Sequence, residues 1–118
     1  MGDSDTRNRK YPFGDNGTEI EASGTVTKPE NGFVNVDGAE YFWLTGSYTG
    51  NSSSVTINVL GYADENDNGD VIRTMTLGTG ATSGKMIVEG GLPFVKIEGF
   101  NGDTVNPATL KVVLNIVR

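Results

Sequence analysis

From residue 19 onward, apolar and polar residues alternate in short runs separated by turn clusters, the spacing expected of a β-sandwich or barrel. Eight strands are predicted, over 19–27, 32–37, 40–48, 54–62, 70–77, 84–89, 93–99 and 109–117. The last alternates most cleanly. Leu110, Val112, Leu114 and Ile116 share one face, and Lys111, Val113, Asn115 and Val117 share the other. Val55, Ile57 and Val59 line one face of the fourth strand, and Val95 and Ile97 one face of the seventh. Together with the apolar face of the last strand these residues form the predicted core. Pro29-Glu30-Asn31-Gly32, Asp37-Gly38 and Asn101-Gly102 carry turn chemistry between the runs. No window holds a 3.6-residue period with a capped start, so almost no helix is expected.

Residues 1–18 show neither period. Asp, Asn, Gly and Arg dominate, and Tyr11 and Phe13, flanking Pro12, are the large apolar groups. Such a segment reads as an extended N-terminal arm outside a sandwich domain of residues 19–118. Arg7, Arg9 and Lys10 could then meet acidic groups on a partner while Tyr11 and Phe13 add rigid apolar contacts. On this reading, deleting the arm hardly changes the stability of the body.

Composition narrows the chemistry. The chain has 118 residues, one domain's worth, with 12 Val and 13 Thr against 5 Ala and no Gln. It contains no His and no Cys, which removes imidazole-based triads, thiol chemistry, disulfides and the common zinc ligand sets. No enzyme is expected. The net charge is −6, so neither nucleic acid nor an anionic membrane is an expected partner. No apolar run is long enough to span a bilayer, and Met1 to Lys10 lacks the apolar segment of a secretory signal.

Three motifs invite chemistry. Gly78–Met86 looks like a phosphate loop, but the glycine spacing is wrong and a strand follows instead of a helix. Asp64-Glu65-Asn66-Asp67-Asn68-Gly69-Asp70 begins like a calcium loop, yet Met75 stands where a bidentate Glu belongs. A polar hairpin tip without metal is the expectation, and no cofactor is expected elsewhere. Tyr41 and Trp43 fall on one face of their strand, with Tyr48 nearby, a set that could stack on a sugar ring if exposed, although a lone Trp on a central strand is more often core. There is also an internal echo. Phe33–Gly38 and Phe94–Gly99 both read Phe-Val-polar-aliphatic-acid-Gly, which two Greek-key halves or chance would each produce.

Leu44-Thr45-Gly46-Ser47-Tyr48, Val55–Val59, the tip at 64–70, Gly91-Leu92-Pro93-Phe94-Val95-Lys96-Ile97, Asn101-Gly102 and the final strand form a recurring pattern. Over residues 40–118 it resembles small virion proteins of tailed bacteriophages, notably capsid decoration or cement proteins. The resemblance implies an all-β, antiparallel, jelly-roll-like sandwich. It also implies a location on the outer capsid surface, synthesis in the host cytoplasm, the major capsid protein as partner, and a homo-oligomer, often a trimer, that stabilises the shell. A carbohydrate-binding β-sandwich module using Tyr41, Trp43 and Tyr48 is the alternative.

Overall fold

The computed structural model describes residues 8–89 and 91–118. They form ten strands and no helix: β1 (Arg9–Lys10), β2 (Thr18–Ile20), β3 (Thr25–Lys28), β4 (Val34–Asn35), β5 (Tyr41–Thr49), β6 (Ser54–Tyr62), β7 (Asp70–Gly78), β8 (Ser83–Glu89), β9 (Phe94–Asn101) and β10 (Ala108–Val117). Two antiparallel sheets result. The front sheet runs β1-β10-β5-β8, with β2 also pairing β10, and the back sheet runs β3-β9-β6-β7, with β4 also pairing β9. Apart from the β6–β7 hairpin and the two interrupted edges, each connection crosses between sheets, which is the order of an eight-stranded jelly roll. The predicted all-β sandwich is the observed fold.

The eight strands of the jelly roll are divided into ten because its two interrupted edges each count twice. Between Arg9 and Thr18 the chain takes nine steps, while β10 takes five between Asn115 and Leu110. Between Lys28 and Val34 it takes six steps, while β9 takes two. Proline helps at both places, Pro12 and Pro29 having no N–H to give a ladder. The predicted strand 19–27 is also split. Gly24 N–H donates to Glu21 O at 2.8 Å, and this turn carries the chain from the front sheet to the back.

Every predicted core residue is buried. Val55, Ile57, Val59, Val95, Ile97, Leu110, Val112, Leu114 and Ile116 lie between the sheets with Phe42, Leu44, Leu77, Met86 and Val88. Each such side chain contributes roughly 1.5–3 kcal/mol when removed from water. The layers approach closely at Gly46 and Gly84, register partners on β5 and β8. A Cβ on Gly46 would overlap Ile57, and one on Gly84 would meet Met75, both residues of the back sheet.

The expected boundary at residue 18 does not match this arrangement. Residues 8–18 belong to the body: β1 and β2 complete an edge of the front sheet, and Phe13 is 1% exposed. A turn closed by Gly14 N–H on Tyr11 O, at 3.0 Å, drops Phe13 between the layers, where it packs with Ile20 and Leu110 over Gly99. Thr18 Oγ1 donates to Phe13 O at 2.8 Å and holds the loop. Of the two large apolar groups in this polar segment, Phe13 is taken up by the core and Tyr11 stays exposed.

The two echo segments lie side by side in the fold. Val34 pairs with Val95 and Asn35 with Phe94, so the two copies are neighbours in one sheet.

One end of the sandwich is closed by polar groups. The buried Asn101 donates through Nδ2 to Ile20 O (3.1 Å) and Asn106 O (2.9 Å), and its Oδ1 accepts from Ser52 Oγ (2.7 Å) and Asp103 N–H (3.0 Å). Asp103 accepts the N–H groups of Asn106, Val105 and Ser53, which hold its carboxyl well below the usual carboxylate range. Asp103 O also accepts Ser23 N–H at 2.9 Å, tying the sheet-crossing turn to this knot. Among the described residues no buried side-chain polar atom lacks a partner.

Candidate attachment surface

Alternation along β5 puts Phe42, Leu44, Gly46 and Tyr48 inside and leaves Tyr41, Trp43, Thr45 and Ser47 on the outer face of the front sheet. Register then builds rows across the sheet. Trp43 lies between Asn115 of β10 and Ile87 of β8, and Arg9 of β1 lies beyond Asn115. Tyr41 lies between Val117 and Glu89, Thr45 between Val113 and Lys85, and Ser47 between Lys111 and Ser83. Directly opposed side chains in antiparallel strands share a face, so these groups form one continuous surface.

The surface is apolar at its centre and cationic around it. Ile87 is 56% exposed and Tyr41 36%, while Trp43, Val113 and Val117 are half-buried. Lys85 Nζ stands 4.8 Å from the centre of the Trp43 ring, a cation–π contact. Arg9 Nε donates to Asn115 Oδ1 at 3.2 Å. With Lys111, these make three cations, against Glu89 and, on β2, Glu19, in a chain of net charge −6. Aromatic and aliphatic groups with a basic rim are the composition of a binding face.

The outer face of the back sheet is built differently, because many of its groups engage one another. Asn58 Nδ2 donates to Glu98 Oε1 at 2.9 Å, and Thr74 Oγ1 donates to Asn58 Oδ1 at 2.8 Å. Phe33 packs on Tyr62 and Phe94, with ring centres 4.8 and 5.4 Å apart.

The residues expected to bind a partner are dispersed. Arg9 lies on the front outer face. Lys10 and the 39%-exposed Tyr11 line a separate groove with Pro12, Pro29, Phe33 and Arg118. Phe13 is in the core and cannot also be an exposed contact. Arg7 lies outside the described residues. Of the aromatic trio, Tyr48 is buried, and its hydroxyl donates to Ser52 O at 2.8 Å, so it cannot join Tyr41 and Trp43 on a platform. Ile87, Lys85, Lys111 and Asn115 complete the surface, and no motif in the sequence marks them. An isoleucine on the polar side of an alternating strand was the available signal.

The two loops with motif-like sequences have plain roles. At the 64–70 tip, Asp67 accepts the N–H groups of Ala63 and Gly69, and Asp64 accepts that of Asn66. These backbone donors hold the Asp67 carboxyl below the usual range. Among the described residues no group of three or more carboxylate, imidazole or thiol side chains is placed to hold a metal. Gly78 and Ala81 bridge to each other and turn the chain from β7 into β8.

No protein-family model matches the chain, and no curated protein matches it. Its fold is similar to several solved structures. The PBSX exported protein XepA superposes with TM-score 0.67 at 6% identity, over 92% of this chain and 36% of that one. The chain therefore spans about a third of that protein's length. The C-terminal CBM6 of LamC from Zobellia galactanivorans gives 0.56 at 8% identity, over 92% and 99% of the two chains. CBM86, a low-affinity xylan binding module from Roseburia intestinalis, gives 0.54 at 10%, over 92% and 84%. At such identities the likeness establishes the sandwich fold.

Proposed function

We propose that this protein is a non-enzymatic capsid decoration, or cement, protein that attaches to the major capsid protein on the outer surface of a virion. The outer face of the front sheet is the attachment surface. The observation that carries this reading is the apolar surface of exposed Tyr41 and Ile87 and half-buried Trp43, Val113 and Val117, bordered by Arg9, Lys85 and Lys111 on an otherwise acidic chain. Such a face suits a protein partner with acidic groups around an apolar patch. The virion assignment draws on the sequence resemblance over residues 40–118. The absence of His and Cys and the use of Asp64, Asp67 and Asp103 as caps for backbone N–H groups support a role without catalysis.

A carbohydrate-binding role is the second reading, favoured by the sandwich modules of that kind whose length this chain nearly matches. Tyr41 and Trp43 would be its platform. Against it, Lys85 stands over the indole ring and Tyr48 is in the core.

Co-sedimentation with shells assembled from the major capsid protein of the same virion, beside a glycan array, decides between them. Saturable binding to shells is expected, weakened roughly thirtyfold by Trp43→Ala, the effect of losing one interface anchor. Glycan binding that disappears in Trp43→Ala, with no affinity for shells, overturns the proposal.

A further inference from the structure

Four strand edges close this sandwich, and three carry a feature that discourages pairing. The β1/β2 and β3/β4 edges are interrupted by loops containing Pro12 and Pro29. The β7 edge is bulged, its register against β6 shifting between Val59 and Leu60. The β8 edge is different. It runs from Ser83 to Glu89 without proline or register shift, and among the described residues no strand pairs with its outer side. Its outward side chains include Lys85, Ile87 and Glu89, while Met86 and Val88 are buried.

We propose that β8 pairs with β8 of a second copy of this chain, antiparallel about a two-fold axis at Ile87. In that register Ile87 meets the second copy's Ile87, Lys85 meets its Glu89, and Glu89 meets its Lys85. Met86 falls opposite Val88, so the buried side of each strand continues across the junction. The charges favour this register over those centred on the other outward side chains. A centre at Lys85 would set two ammonium groups against each other, and a centre at Glu89 two carboxylates. Because the register is symmetric about one residue, paired positions differ by an even number, which respects the alternation of backbone N–H and C=O directions along the strand. Ile87 is the most exposed large hydrophobic of the front sheet, and pairing buries the flank it turns to the second copy. An open groove of about 590 Å³ beside the edge, lined in part by Ile72 and Leu92, would be narrowed by the same contact.

The pairing is isologous and closes as a dimer. It joins two front sheets into one, with both outer faces on the same side. The inference does not depend on what that face binds.

Sedimentation equilibrium of the intact chain tests it. A dimer is expected at about 100 µM chain. Lys85→Glu alone and Glu89→Lys alone should each weaken it at least about tenfold, and the double exchange should restore it to within about threefold. Since the chain has no cysteine, Ile87→Cys supplies a single thiol that should form a disulfide dimer on mild oxidation, whereas Lys111→Cys, inside the sheet, should not. A wild-type monomer at that concentration, a three-fold assembly, a double exchange no better than the single ones, or Ile87→Cys that fails to cross-link each overturns the proposal.

Discussion

The two edges of the front sheet are opposites. The N-terminal edge, β1 and β2, is polar in sequence, short and broken, yet it sends Phe13 into the middle of the core. The β8 edge is regular and well patterned, yet it leaves Ile87 outside, and among the described residues no strand pairs with its outer side. Segment polarity is therefore a poor guide to what an edge does. A single side chain, placed between the layers or outside them, separates an edge that stabilises from an edge that associates.

Phe13→Ala would be the hardest blow to this contrast. It should cost about 3–5 kcal/mol of unfolding free energy, the range for removing a buried aromatic ring, read from denaturant or thermal melts. An unchanged melt would make residues 8–18 a loose terminus after all.

A smaller effect is expected at the knot that anchors this edge, where Asn101 holds Ile20 O and Asp103 holds Ser23 N–H. The folded Asp103 carboxyl titrates below its ordinary value of 3.8, chiefly through the N–H groups of Asn106 and Val105. Its contribution is then fully present above that ordinary value and is lost as pH falls from there through the lower folded value. Asp103→Asn should lower the melting temperature at pH 7, and the gap to wild type should narrow on acidification below about pH 4. A gap independent of pH between 7 and 2 would mean that ionised Asp103 does not anchor the turn.

Ile87→Thr should have the smallest effect on the fold. Measured in dilute solution, it should shift unfolding by no more than about 0.5 kcal/mol, as surface substitutions do. The same change should weaken association of the intact chain. A loss of several kcal/mol would show that Ile87 supports the core and that the two edges are alike.

Most of the site was legible in pieces. Alternation alone put Tyr41 and Trp43 on one face and paired Lys111, Val113, Asn115 and Val117 on another strand's polar side. Tyr48 was grouped with Tyr41 by nearness in sequence, although seven positions separate them and odd separations change face. The assembly of these half-faces into one surface needed the register of β5 with both β8 and β10.

The sequence by itself determined the all-β class, the positions of most turns and the inward faces of β6, β9 and β10. Those follow from local rules, the two-residue period and the backbone preferences of Gly, Pro and Asn, which act without knowledge of neighbours. Only the tertiary structure decided that residues 8–18 join the body, that the two Phe-Val echoes pair in one sheet, and that β8 ends as an open edge. Strand order and the space left between layers depend on pairings between residues far apart in the chain. Phe13, with no periodic neighbours to mark it, is buried because Gly99, Ile20 and Leu110 leave room for a ring there.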